Sequence, residues 1–120
     1  MKKNVYVVED NDDIRELVEY LLESEAYNVS GFATVTDFKK QMAISHPDLI
    51  VLDVMLPDGN GLDVCNLLKV KEDTKMIPII LMSANTNVAY ISKESKADAF
   101  ISKPFDIDDL VNRVAKLIDR

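Results

Sequence analysis

Short apolar runs alternate with amphipathic helical patterns five times along this chain of 120 residues. The apolar runs predict strands at residues 5–8, 27–31, 49–52, 77–82 and 99–101. Apolar side chains at helical spacing predict helices that begin near Asp13 (capped by Asp12), near Val35 and near Ile107, and others over 61–71 and 86–95. Strands that alternate with helices in this way predict a doubly wound α/β fold, with a parallel sheet and helices on both of its faces.

The apolar content of each run predicts its place in the sheet. The first, third and fourth runs are the most apolar, and residues 49–52 carry no polar side chain at all. Such strands are buried on both faces and belong in the centre. The second run alternates polar and apolar residues and the fifth is short, so both belong at the edges. The strand order 2-1-3-4-5 satisfies these conditions and is common among doubly wound sheets.

Polar side chains follow four of the five predicted strands. Glu9 and Asp10 follow the first, Asp53 ends the third, Ser83 ends the fourth and Lys103 follows the fifth. Ligands of parallel α/β sheets bind beyond the carboxyl ends of the strands. We therefore expect these five residues to converge on one edge of the sheet, although each could also be an ordinary strand-end or helix-start residue.

Three carboxylates gathered at one place repel one another unless a cation or a proton relieves the charge. Oxygen ligands at a small site suit Mg²⁺, which typically binds one or two carboxylates together with a phosphate. The pattern therefore indicates phosphoryl chemistry, with Asp53 as the nucleophile and with Ser83 and Lys103 stabilising charge on the transferred group. The sequence contains no glycine-rich GxxxxGK[ST] loop, so a nucleoside triphosphate is not the obvious phosphoryl donor.

Composition limits the remaining choices. The formal charge is −7, from 21 acidic and 14 basic residues, which argues against nucleic-acid binding by this domain alone. Cys65 is the only cysteine, so an internal disulfide is excluded. The apolar runs are too short for a membrane span or a secretory signal. We expect one cytoplasmic domain over residues 1–120.

Four stretches together resemble a response-regulator receiver domain of two-component signalling: VVEDNDDIRELV at 7–18, LIVLDVMLPDGNGLD at 49–63, SA at 83–84 and ISKPF at 101–105. The resemblance implies a five-stranded sheet of flavodoxin-like order in which Asp53 accepts a phosphoryl group from a histidine kinase. It also implies that Glu9, Asp10, Asp53 and the backbone carbonyl of Met55 hold Mg²⁺, and that Ser83 and Lys103 contact phosphoryl oxygens.

The same resemblance assigns further roles. Phe100 occupies the position of an aromatic switch residue that responds to Ser83, and the peptide bond before Pro104 is expected to be cis. Met55 and Asn85 occupy positions that tune the lifetime of the phosphoryl group. The face formed by the fourth helix, fifth strand and fifth helix is expected to contact an effector domain, an output protein or a second copy in a phosphorylation-dependent homodimer. Ala99, on that face, replaces a frequent acid, which leaves the mode of dimerisation open.

The sequence leaves three functions in competition. The first is a phosphorylation-gated signalling switch with slow self-dephosphorylation rather than enzymatic turnover. The second is a Mg²⁺-dependent phosphohydrolase with an aspartyl-phosphate intermediate, a class that commonly places a general acid two residues after the nucleophile. Met55 stands there and cannot donate a proton, which favours the switch. The third is a pseudo-receiver or a flavin carrier of the same fold. The acids, Ser83 and Lys103 argue against a pseudo-receiver, and the lack of a phosphate-binding hydroxyl loop after the first strand argues against a flavin carrier.

Overall fold

The computed structural model describes residues 2–84 and 88–119. Its elements, in chain order, are β1 (Asn4–Val8), α1 (Asp12–Ser24), β2 (Asn28–Phe32), α2 (Val35–Met42), β3 (Leu49–Asp53), β4 (Met55–Leu56), β5 (Gly59–Asn60), α3 (Gly61–Val70), β6 (Ile79–Ala84), α4 (Val88–Glu94), β7 (Ala99–Lys103) and α5 (Ile107–Ile118). In the part of the chain described, no helix is both long and apolar enough to cross a membrane.

Five of these strands form one parallel sheet in the order β2-β1-β3-β6-β7. The predicted strand order is confirmed, because β6 and β7 are the fourth and fifth strands of the sequence analysis. All five residues of β3 are buried, whereas β2 is half-buried to exposed along its length. The apolar content of each run therefore did place it correctly at the centre or the edge of the sheet.

Among the described residues, the core consists of two apolar clusters, one on each face of the sheet. Alternate residues of each central strand go to opposite clusters: Val51 packs with α1 and α5, whereas Ile50 and Leu52 pack with α2 and α3. Because successive side chains of a strand point to opposite faces, a strand covered by helices on both sides must be apolar throughout. This explains the unbroken apolar run before Asp53.

Several predicted boundaries were wrong by a few residues. Strand β6 begins at Ile79 rather than residue 77 and continues through Ser83 to Ala84, and β7 extends through Lys103. Helix α1 begins at Asp12 and its N-cap is Asn11, whose side chain accepts a hydrogen bond from the Ile14 amide at 3.0 Å. The N-cap therefore precedes the predicted one by one residue, because the side chain of Asn11, not that of Asp12, reaches the free amide.

The sequence analysis also missed a small antiparallel hairpin between β3 and α3. Met55 pairs with Asn60 and Leu56 pairs with Gly59, and the turn between them contains Pro57 and Asp58. Two-residue strands are too short to show periodicity, so this segment reads as a loop in the sequence. The hairpin gives defined structure to the chain that directly follows Asp53.

Candidate functional site

The carboxyl edge of the sheet brings together side chains from the ends of four strands. Glu9 follows β1, Asp53 is the last residue of β3, Ser83 lies in β6 and Lys103 is the last residue of β7. Glu9 is 1% exposed, and Asp53 and Ser83 are each 4% exposed. Polar side chains this deeply buried are costly unless they have partners, so their surroundings decide what they can do.

Three carboxylates meet at this edge. One carboxylate oxygen from each of Glu9, Asp10 and Asp53 lies within 4.8 Å of the other two. Asp10 is exposed to solvent, whereas Glu9 and Asp53 are buried. The group therefore has a closed inner side and an open outer side, through which an ion and a phosphate could enter.

Lys103 supplies positive charge inside this group. Its Nζ lies 3.1 Å from Asp53 Oδ2 and donates a hydrogen bond to Glu9 Oε1. Burial alone would lower the pKa of the Lys103 ammonium, but the hydrogen bonds to Glu9 and Asp53 outweigh it and the pKa is raised. Lys103 therefore stays protonated at neutral pH.

Burial raises the pKa of Glu9, the hydrogen bond from Lys103 opposes that shift, and the charge of Asp53 adds to it. Within the ranges that the structure describes, one ammonium is paired with two of the three carboxylates, which leaves the site with an excess of negative charge. A divalent cation relieves such an excess. Because the donors are all carboxylate oxygens, the chemistry of the site fits a hard cation such as Mg²⁺.

Backbone contacts hold the acids in place. The Asn11 amide donates to Glu9 Oε2 at 3.1 Å, and Arg15 Nη1 donates to the Glu9 carbonyl at 2.9 Å. Directly after Asp53 in the chain, the carbonyl of Val54 accepts a hydrogen bond from the Gly61 amide at 2.8 Å. A Cβ at Gly61 would lie 2.0 Å from the Asp53 carbonyl oxygen, so only glycine permits this close approach.

The other residues singled out in the sequence lie around this group. The Ser83 hydroxyl donates to the Ala84 carbonyl at 3.2 Å, and Phe100 is half-buried against the α2–α3 side of the core. The side chain of Met55 is 71% exposed. The peptide bond between Lys103 and Pro104 is cis. Asn85 lies outside the described residues.

Comparison with known proteins identifies the family. The family model described as "Response regulator receiver domain" matches residues 5–115. The chain belongs to the response-regulator receiver family. Receiver domains of response regulators are phosphoacceptor signalling domains, and the resemblance seen in the four motifs is confirmed.

Three relatives illustrate the relationship. The receiver domain is 36% identical over 120 residues to the transcriptional regulatory protein CssR of Bacillus subtilis, and 31% identical over 120 residues to the transcriptional regulatory protein GltR of Pseudomonas aeruginosa. It is 32% identical over 122 residues to the DNA-binding response regulator MtrA of Mycobacterium tuberculosis. These alignments cover 98%, 98% and 100% of the chain but 52%, 50% and 52% of the relatives. The chain thus spans about half the length of these relatives.

Solved structures agree with the fold. The crystal structure of a putative response regulator from Chloroflexus aurantiacus matches with a TM-score of 0.93 and 27% identity, and all of both chains is covered. The BeF3-activated DrrB receiver domain matches with a TM-score of 0.87 and 30% identity, also over all of both chains. The doubly wound receiver fold is therefore shown by sequence and by structure.

Sequence reasoning about this receiver domain missed the contacts of two residues, Arg15 and Asp58. Arg15 was not singled out, although it bonds the Glu9 carbonyl and is paired with Asp12 at 2.7 Å. Asp58 was not singled out either, although it lies in the stretch 49–63, and it accepts hydrogen bonds from α2. A basic residue one turn into the helix that follows an acidic pair was an available signal for Arg15. No pattern in the sequence joins Asp58 to a helix more than twenty residues away.

Proposed function

We propose that this receiver domain, spanning residues 1–120, is a phosphorylation-gated signalling switch in which Asp53 accepts the phosphoryl group. The observation that carries the proposal is the setting of Asp53. Its carboxylate ends the central strand β3, lies 3.1 Å from the Lys103 ammonium, and shares a pocket with Glu9 and Asp10. A rigid strand with charged partners on either side positions one carboxylate oxygen for attack.

In the transfer, an Asp53 carboxylate oxygen forms a bond to phosphorus while the bond from phosphorus to the donor breaks. The donor group, the imidazole of a sensor histidine kinase or a small carboxylate, leaves with the electron pair of that bond. The Lys103 ammonium neutralises charge on the transferred group, and the Ser83 hydroxyl donates to one of its oxygens. Mg²⁺ held by Glu9, Asp10, Asp53 and the Met55 carbonyl would supply further charge stabilisation.

The phosphoryl group then biases a two-state element. Ser83 now bonds the Ala84 carbonyl at 3.2 Å, and moving its hydroxyl toward a phosphoryl oxygen would release that bond. We assign Phe100, half-buried in the adjacent strand β7, as the ring that follows. A shift from 1:99 to 99:1 takes roughly 5.5 kcal/mol, of which charge-assisted contacts from Lys103 and Ser83 would contribute a large part.

The output would be the face formed by α4, β7 and α5. On α5, Arg113 and Asp109 are paired within the chain at 2.9 Å. We assign this face to an effector domain or output protein and to a phosphorylation-dependent homodimer, and we place the domain in the cytoplasm. The relatives pair a domain of this kind with additional sequence, which supports an effector as the partner.

Slow self-dephosphorylation, rather than turnover, fits the residue two positions after Asp53. Met55 cannot donate a proton, and its side chain is 71% exposed. A phosphohydrolase of this fold would need an acid near the leaving group. We assign Met55 and Asn85 to tuning the phosphoryl lifetime.

The proposal is tested by incubating the protein with Mg²⁺ and acetyl phosphate and measuring its intact mass over time. We expect one labile phosphoryl group on the wild-type protein and none on Asp53→Asn. Asp13→Asn, which removes an exposed acid from the first turn of α1, is the matched control and should be labelled like the wild type. No label on the wild type would refute the proposal, and many turnovers of phosphate release would favour the phosphohydrolase.

A further inference from the structure

We infer that Asp58 is a positioning residue that clamps the β4–β5 hairpin onto the N-terminus of α2 and thereby fixes the backbone beside Asp53. The inference rests on the proposed function, because the hairpin includes Met55, whose carbonyl is proposed to hold Mg²⁺. It adds a residue that lies outside the acid pocket and acts on it through the backbone.

Asp58 makes three hydrogen bonds to two successive residues of α2. Its Oδ1 accepts from the Val35 amide at 2.8 Å. Its Oδ2 accepts from the Thr36 amide at 2.9 Å and from Thr36 Oγ1 at 2.6 Å. Both carboxylate oxygens are therefore used, which fixes the orientation of the Asp58 side chain as well as its position.

These bonds complete the cap of α2. The first amides of a helix have no partners within the helix. The side chain of Thr34, the N-cap, accepts a hydrogen bond from the Asp37 amide at 3.1 Å. Asp58 accepts from the amides of Val35 and Thr36, the first two residues of the helix. A carboxylate is favoured at this end of the helix dipole. The bonds from the Thr36 side chain and from the Val35 and Thr36 amides lower the pKa of Asp58, so the clamp is charged at neutral pH.

Packing next to Asp58 supports the same contact. A Cβ placed on Gly59 would lie 3.1 Å from Val35 Cγ2, so the hairpin backbone lies directly against the first residue of α2. Val35 is 5% exposed. The hairpin tip therefore touches α2 twice, through the carboxylate of Asp58 and through the backbone of Gly59.

The hairpin is thus held at both ends. At its base, the Gly61 amide bonds the Val54 carbonyl at 2.8 Å, immediately after Asp53. At its tip, Asp58 bonds α2. Residues that orient metal ligands without binding the metal typically change its affinity by roughly 10- to 100-fold when removed. Met55 lies between the two attachments, so loss of the clamp should loosen the backbone that carries its carbonyl.

The test is isothermal titration of Mg²⁺ into folded wild-type protein and Asp58→Ala, followed by the phosphoryl half-life after acetyl phosphate. We expect the Kd for Mg²⁺ to rise about tenfold in Asp58→Ala, at the lower end of the range for such indirect residues. Asp58→Asn keeps one side-chain acceptor and should recover part of the affinity. Asp63→Ala removes an exposed acid from the first turn of α3 and should bind Mg²⁺ like the wild type.

Two results separate failure of the clamp from failure of the proposed function. If Asp58→Ala binds Mg²⁺ and keeps its phosphoryl group like the wild type, the clamp is overturned and the proposed function stands. If the wild type neither binds Mg²⁺ nor takes up phosphate, both are overturned. Should Asp58→Ala fail to fold, Asp58→Asn takes its place, because it offers one side-chain acceptor where Asp58 uses two, and a wild-type Kd for Mg²⁺ in that variant would contradict the clamp.

Discussion

Two lysine–aspartate ion pairs lie at opposite edges of the same sheet. At the carboxyl edge, Lys103 Nζ is 3.1 Å from Asp53 Oδ2. At the amino edge, Lys69 Nζ is 2.9 Å from Asp98 Oδ2. The lysine side chains are 22% and 12% exposed, so neither pair is fully solvated. The two contacts look alike, but their surroundings differ.

At the amino edge the pair joins structural elements. Lys69, near the end of α3, also donates to the Ile77 carbonyl at 3.0 Å, and Asp98 also accepts from the Ile79 amide at 2.8 Å. At the carboxyl edge one lysine is paired with Glu9 and Asp53, and Asp10 adds a third acid to the pocket. The excess of acid, not the ion pair itself, therefore distinguishes the carboxyl edge from the amino edge.

The largest expected effect is on phosphoryl transfer in Lys103→Met. Removing one preorganised positive group from a site of developing negative charge slows transfer by about 100-fold. The rate is measured as the appearance of phosphorylated protein by intact mass. Lys69→Met is the matched control at the amino edge and should be phosphorylated at the wild-type rate. Equal slowing in both variants would contradict the difference that we infer between the carboxyl edge and the amino edge.

The next effect is on stability, in Asp98→Ala. This variant leaves the Lys69 ammonium and the Ile79 amide without their shared acceptor, which should lower the free energy of unfolding by about 2 kcal/mol. Urea unfolding measures the change. Phosphorylation of the folded variant should match the wild type. A stable Asp98→Ala protein that no longer accepts phosphate would show that the amino edge is not merely structural.

The third effect is stabilisation by Mg²⁺. If Mg²⁺ binds the folded state and not the unfolded state, a Mg²⁺ concentration of ten times the Kd should raise the free energy of unfolding by about 1.4 kcal/mol. Glu9→Gln and Asp53→Asn reduce the negative charge of the pocket and should lose most of this gain, whereas Asp98→Ala should keep it. Thermal unfolding with and without Mg²⁺ is the measurement, and a gain in Asp53→Asn equal to that of the wild type would contradict the proposed metal site.

The smallest effect concerns the reactivity of the Cys65 thiol, which is buried in the middle of α3. Burial raises the pKa of its thiol to about 11. Because the fold disfavours the thiolate, the free energy of unfolding should fall as the pH rises from the ordinary thiol pKa of 9.0 toward 11. At pH 8 about one thiol in a thousand is ionised, so alkylation by iodoacetamide should be slow. Alkylation should be faster in Asp98→Ala than in the wild type, because the negative charge of Asp98 adds to the rise in the pKa of Cys65. Rapid alkylation of the wild type would contradict the burial of Cys65.

The sheet and its acidic edge could be predicted because each depends on local sequence. Apolar runs fix which strands are buried on both faces, and strand direction then fixes where Glu9, Asp53 and Lys103 meet. The predicted convergence of those acids with Lys103 agrees with the distances in the structure. The roles of these residues in phosphoryl transfer remain predictions.

The remaining features depend on tertiary contacts that leave no periodic signal. Asp58 bonds α2 across more than twenty residues of sequence. Arg15 bonds the backbone carbonyl of Glu9, and because every residue has such a carbonyl, the sequence gives no signal for this contact. The hairpin of Met55 and Asn60 is too short to show alternation. Helix 86–95 could be checked only from Val88 onward, where α4 extends to Glu94.

The central claim is that the phosphoryl group resides on Asp53, and its position can be read directly. Protein phosphorylated with acetyl phosphate is reduced with sodium borohydride, which converts an acyl phosphate to an alcohol, and is then digested and sequenced by mass spectrometry. We expect reduction to mark position 53 alone, and only in protein that was phosphorylated in the presence of Mg²⁺. A mark at Glu9 or Asp10, or a stable phosphate on Ser83 with none at Asp53, would contradict it.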